Sequence, residues 1–138
     1  MSHLSDLSTC TYLPRTAEHI LSVGWLARDV PYLTGPTPSE IYSRLVEFAK
    51  DPWQPFACCG IHECGICQFQ SEARGVKNLF FPFEEKIYVC PELITHYMNA
   101  HHYRPPQVFC DAVMACPPMR SMEYKQLLLA CNGSVLWK

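Results

Sequence analysis

The residues best equipped for chemistry lie in one short stretch, "CCGIHECGICQF", running from Cys58 to Phe69. It holds four cysteines, one histidine and one acid in twelve positions. Within it, Cys64-Gly65-Ile66-Cys67 is a C-x-x-C. Two thiolates at this spacing, on a tight turn with a small residue between them, can bind one zinc ion together, and tetrahedral zinc then needs two more nitrogen or sulfur ligands. His96 and His101 offer them, since the four residues between them fall within the H-x₃₋₅-H spacing of zinc sites. The expected ligand set for a Zn²⁺ ion is therefore Cys64, Cys67, His96 and His101. His62, two residues before Cys64, and Cys59, five before it, are alternates that could replace one of the histidines. His102 follows His101 directly but lies about 100° away around a helix.

Other chemistries compete for the same residues. "CGIC" also resembles the redox motif of thioredoxin-like proteins, where a low-pKa thiolate sits at a helix N-terminus. Here "QFQSEARGVKN" follows, without an apolar helical stripe and with Gly75 inside it. "H-E-C-x-x-C" at His62–Cys67 resembles, in compressed form, the H-x-E and C-x-x-C of zinc deaminases. That chemistry spreads its parts over two helices, whereas here they share six positions, and Glu63 reads as a solvated loop acid. A cysteine nucleophile would need a thiol paired with a histidine and an oxyanion donor, and the closeness of Cys59 to His62 in sequence is no evidence of such a pair. No G-x-S-x-G, phosphate-binding loop or G-x-G-x-x-G occurs. Cys10, Cys110, Cys116 and Cys131 read as core thiols, because free cysteine is among the most buried residue types.

The elements that must position these ligands can be read in outline. "TYLP" and "HILSVGWLA" read as short strands or an apolar lead-in, and "VPYLTGPTP" as a connector rich in proline and glycine. A helix is expected from about 38 to 50. Thr37 would be its N-cap, Pro38 its first residue and Glu40 the acid of a capping box, with Ile41, Leu45 and Phe48 at helical spacing. "NLFFPF" and "KIYVC" read as two extended segments joined by a turn at Glu84-Glu85. Pro91 would open a second helix carrying His96 and His101, with Leu93, Tyr97 and Ala100 on its inner face. Pro105-Pro106 ends that helix and starts a third, Pro117-Pro118 stops the third, and Ser121 caps a fourth that exits at Asn132-Gly133. Tyr103 is expected in the core, and Arg104 opposite Glu84, Glu85 or Glu92. Trp25, Trp53 and Trp137 suit either core or a binding surface.

A chain of 138 residues with 49% hydrophobic and 17% charged residues suits one folded domain, residues 1–138, with its zinc-binding region at about 58–103. The net charge of −2 gives no reason to expect DNA or an anionic membrane as partner. "MSHLSDLSTCTYLPRTAEH" has neither a basic nor an apolar segment of the kind that secretory signals use, and no apolar run approaches the roughly 20 residues of a membrane span. The expected compartment is the cytoplasm, where nine cysteines are thiols or metal ligands rather than disulfides.

Cys64, Cys67, His96 and His101 resemble the ligands of a Cys2His2-type zinc finger over about residues 62–103. The gap between the pairs is far longer than the roughly 12 residues of a typical finger. Glu92, Thr95, Met98 and Asn99 are not a base-reading set either, so the resemblance implies a zinc site and not DNA recognition. A second resemblance spans most of the chain. "DLSTCTYL…VGWL", "GIHECGIC" and "HYMNAHHYRPPQVFCDAV" are similar to segments of an uncharacterised family of small bacterial proteins, which implies that the His/Cys signature is a family trait.

Together these readings give a small α+β domain: a short sheet of two or three strands beside a zinc knuckle, covered by about four helices. The expected function is zinc binding with a mainly structural metal, in a protein-interaction module whose partner is unknown. The alternative is a zinc-dependent hydrolase or deaminase-like enzyme with an open coordination position, using His62 or Glu63 on a bound water. Nucleic-acid binding stands third.

Overall fold

The apolar run from Asn78 to Pro91 forms the hairpin on which the other elements are assembled. Strands β4 (Asn78–Phe83) and β5 (Lys86–Pro91) pair antiparallel, with Phe83 opposite Lys86 across a two-residue turn. Glu84 and Glu85 both take left-handed backbone angles, φ 49° and 68°, the conformation whose twist matches flanking strands. The earlier strands are β1 (Ile20–Ser22), β2 (His62–Glu63) and β3 (Arg74–Gly75). β1 pairs parallel with β5, giving a three-stranded sheet of order β1-β5-β4, while β2 and β3 form a separate antiparallel pair. This computed structural model describes residues 3–55, 62–67 and 74–137.

Both faces of the sheet are covered, so β4 and β5 read as continuous apolar runs rather than as alternating ones. Helix α1 (Ser39–Lys50) sends Phe48 against Phe81, and α3 (Gln107–Ala115) sends Phe109 against the same ring, at centroid distances of 5.3 and 5.6 Å. Phe80 points the other way along the pleat. It meets Trp53 at 5.4 Å, and its carbonyl accepts a 2.7 Å hydrogen bond from Tyr124 of α4 (Met122–Ala130). Trp25 is fully buried and donates from Nε1 to the Val89 carbonyl at 3.0 Å. Helix α2 (Ile94–His101) lies between hairpin and α3 in the chain, and a 3₁₀ turn at Gly133–Leu136 closes the described structure. The described residues form an α+β fold with four α-helices, as the residue pattern implies. Among the described residues no helix is long and apolar enough to cross a membrane.

Several local expectations need correction. Pro38, with ψ 137°, is itself the cap of α1, so the helix starts at Ser39 and no side-chain cap bond forms. The Thr37 hydroxyl lies one residue too early for a capping box, and it is buried without a partner among the described residues. "TYLP" is turn rather than strand. Pro91 ends β5 instead of opening α2, a place where its missing N–H does no harm because β1 pairs only as far as Val89. On α2, Ile94 is buried where Ala100 was expected to be, and Ala100 is exposed. Glu92 does not face Arg104: its carboxylate accepts the backbone N–H groups of Val76 and Lys77. Tyr103 is in the core, and its hydroxyl donates to Asp6 at 2.8 Å.

Candidate metal centre

Helix α2 is anchored by Ile94 and Tyr97, both fully buried, with Leu93 just before them. Ile94 packs so closely on Gly24 that a Cβ there would lie 3.0 Å from it, and Gly24 takes φ +78°, which suits glycine. With this face fixed inward, His96 and His101 fall on the flank of the helix. Residues five apart lie about 140° apart on an ideal helix. The two rings nevertheless come within 5.0 Å of each other, centroid to centroid; His101 is the last helical residue, and His102 turns the chain away at φ 57°.

The C-x-x-C loop leaves β2 and faces this flank. Cys64 Sγ lies 3.4 Å from His101 Nε2, and Cys67 Sγ lies 3.4 Å from the Nε2 atoms of both His96 and His101. The four ligand atoms all fall within 4.8 Å of one another, and each residue is half-buried. Zinc–sulfur and zinc–nitrogen bonds of about 2.3 and 2.05 Å at the tetrahedral angle would place sulfur and nitrogen about 3.6 Å apart. The observed separations are close to that edge. A single imidazole nitrogen facing two sulfurs at equal distance is also more than one hydrogen bond can satisfy. The cluster can hold a metal ion.

The electrostatics suit a cation. Burial pushes the Cys64 thiol up, while the nearby backbone N–H groups of Ile66 and Cys67 pull the other way. Burial lowers the pKa of His96, and that of His101 is lowered by burial and then by the charges of His96 and His102. Both imidazoles therefore stay neutral near pH 7, the form that ligates metals.

Three further residues brace the segments around the cluster, and sequence reasoning did not give them that role. Arg28 donates from Nε to the Gly65 carbonyl at 2.9 Å and from Nη2 to the Cys67 carbonyl at 2.8 Å. The Tyr32 hydroxyl donates to the His101 carbonyl at 3.0 Å. Glu92 ties down the backbone after β3 through Val76 and Lys77, and its side chain lies where a Cβ on Gly75 would sit. Arg28 and Gly65 are 37 residues apart, and no spacing rule connects them.

Of the alternates, Cys59 lies outside the described residues, as does the segment from 68 to 73 on which the thioredoxin-like reading depends. The backbone of His62 belongs to β2. Glu63 is exposed on β2 and is not a member of the cluster. Cys10, Cys90, Cys110, Cys116 and Cys131 are buried cysteines of the core.

A family model described as "Domain of unknown function (DUF7919)" matches residues 2–114, a span that contains the four cluster residues, Arg28 and Tyr32 and ends before α4. No curated protein and no solved structure matches the chain. The chain belongs to the DUF7919 family.

Proposed function

We propose that this member of the DUF7919 family binds one zinc ion through Cys64, Cys67, His96 and His101, and that the metal is structural. The observation that supports this reading most strongly is the convergence of two thiols and two imidazoles from segments about 30 residues apart, at separations matching a zinc tetrahedron. Two thiols with two imidazoles favour zinc over harder cations. Four protein ligands leave no open position for water or substrate, so the metal would hold the Cys64–Cys67 loop to α2 rather than perform hydrolysis. The work of the domain then falls to its surface, which exposes Met114, Met122, Leu129 and Trp137. We read it as a protein-interaction module of the cytoplasm. The chain's negative charge favours a protein over a nucleic-acid partner.

The test is metal content by elemental analysis of protein purified without chelators. About one zinc per chain is expected in the wild type, and none in the double variant His96→Ala/His101→Ala. A metal-free wild type, or a double variant that keeps its zinc, would overturn the reading.

A further inference from the structure

The segment from Ala27 to Tyr32 touches both halves of the candidate centre. Arg28 grips the two carbonyls on either side of Ile66, and Tyr32 grips the carbonyl of His101. The bond to Gly65 has a consequence one atom away. A trans peptide is planar, with its C=O and N–H pointing in opposite directions. The Gly65 carbonyl and the Ile66 N–H belong to one such unit, and no cis peptide occurs among the described residues. When Arg28 holds that carbonyl outward, the Ile66 N–H is turned the opposite way, toward the Cys64 sulfur, whose pKa it pulls down. The guanidinium suits this task because its planar fork reaches two acceptors at fixed spacing, which a lysine ammonium does not reproduce.

We infer that Arg28 is a positioning residue of the metal centre: by clamping the Gly65 and Cys67 carbonyls it aims the Ile66 N–H at the Cys64 sulfur and so sets the donor strength of that ligand. Tyr32 does the corresponding work for the helix half, fixing the end of α2 where His101 sits, without touching a sulfur. This inference rests on the proposed zinc site. It assigns a role to a residue that touches neither the metal nor its four ligand side chains.

The experiment uses the full chain loaded with cobalt(II), which occupies zinc sites and reports thiolate bonding through its sulfur-to-metal charge-transfer band. The proteins are wild type, Arg28→Lys, Arg28→Gln and Tyr32→Phe, with zinc affinity measured by competition against a chromogenic chelator. An N–H bond to a thiolate stabilises its lone pairs, so its loss moves the band to lower energy. Both Arg28 variants are expected to show that shift, with zinc affinity lowered roughly tenfold, the low end for lost outer-shell partners. Tyr32→Phe is expected to weaken zinc binding while leaving the band in place. Should both Arg28 variants bind cobalt with the wild-type band, the positioning role falls while the zinc site stands. An equal band shift in Tyr32→Phe would also overturn it, by showing general loosening instead of a turned peptide. Failure of the wild type to bind either metal overturns the zinc site and this inference together. Arg28→Lys keeps the charge and most of the side chain, so the test does not depend on Arg28→Gln folding.

Discussion

The described cysteines fall into two populations. Cys10, Cys90, Cys110, Cys116 and Cys131 are buried among apolar side chains, and burial pushes up the thiols of Cys90, Cys110, Cys116 and Cys131, that of Cys116 to about 12. Such thiols stay protonated and serve as small hydrophobes. Cys64 and Cys67 are half-buried, face two imidazoles, and sit on a loop whose backbone N–H groups offset the effect of burial on the Cys64 thiol. The same side chain thus has two roles, set by what surrounds it. The molecule divides along the same line. One region is held by burial around the β4–β5 hairpin, and the other, the Cys64–Cys67 loop with the end of α2, is held by polar contacts and by the proposed metal.

The largest expected effect tests whether the two regions differ in stability. Phe81 is fully buried between Phe48 and Phe109, so Phe81→Ala should cost roughly 3–5 kcal/mol. Against a total stability of roughly 5–15 kcal/mol for such a domain, that shift should appear as a large fall in the urea midpoint. Stripping zinc with a chelator should lower the midpoint less and act locally, raising hydrogen exchange at 62–67 and 96–101 while the amides of β4 and β5 stay protected. Chelation that destabilises as much as Phe81→Ala would erase the distinction.

A smaller effect sharpens it with one chemical change made twice. Cys90→Ser puts a hydroxyl into a fully buried apolar site, at a cost of about 1–3 kcal/mol, and should leave zinc content unchanged. Cys64→Ser should remove most of the zinc and lower the midpoint with it, by less than Cys90→Ser does. Zinc retained at full occupancy in Cys64→Ser, with unchanged stability, would remove Cys64 from the ligand set.

The two regions also differed in how far they could be read from sequence. The hairpin was legible because apolar runs bounded by a turn carry their own periodicity, and α3 and α4 because Pro105-Pro106, Pro117-Pro118 and Ser121 mark their ends chemically. The start of α1 misled because Pro38 itself takes the cap position that Thr37's side chain suggests. Cys64, Cys67, His96 and His101 could be paired from ligand spacing, because metal chemistry restricts which residue types occur together. Arg28, Tyr32 and Glu92 could not, because what they grip is backbone carbonyls and amides. Backbone has no sequence signature, so such contacts appear only once the fold brings distant segments together.

The smallest effect uses acid to separate the regions. In the metal-free protein His96 and His101 titrate below the ordinary 6.5, because burial disfavours their charged forms. The unfolded chain then binds more protons than the folded one below pH 6.5, and stability falls as pH drops through that range. Bound zinc competes with the same protons, so an indicator should register its release as the solution is acidified below 6.5. Asp51 responds in a lower window. The Arg120 side chain hydrogen-bonds its carboxylate and adds an attractive charge, at 2.9 Å, holding its pKa below 3.8. A depressed carboxylate pKa contributes stability above the unfolded value and loses it as pH falls through the folded one, so this pair is intact at pH 5 and fails only below 3.8. The pair is solvent-exposed, and the contribution of such pairs is small. Asp51→Asn should therefore leave zinc release unchanged and lower stability only above pH 3.8, by a barely measurable amount that vanishes at the acid end. Zinc release that moved with Asp51→Asn would couple the two regions through α1 and break the comparison.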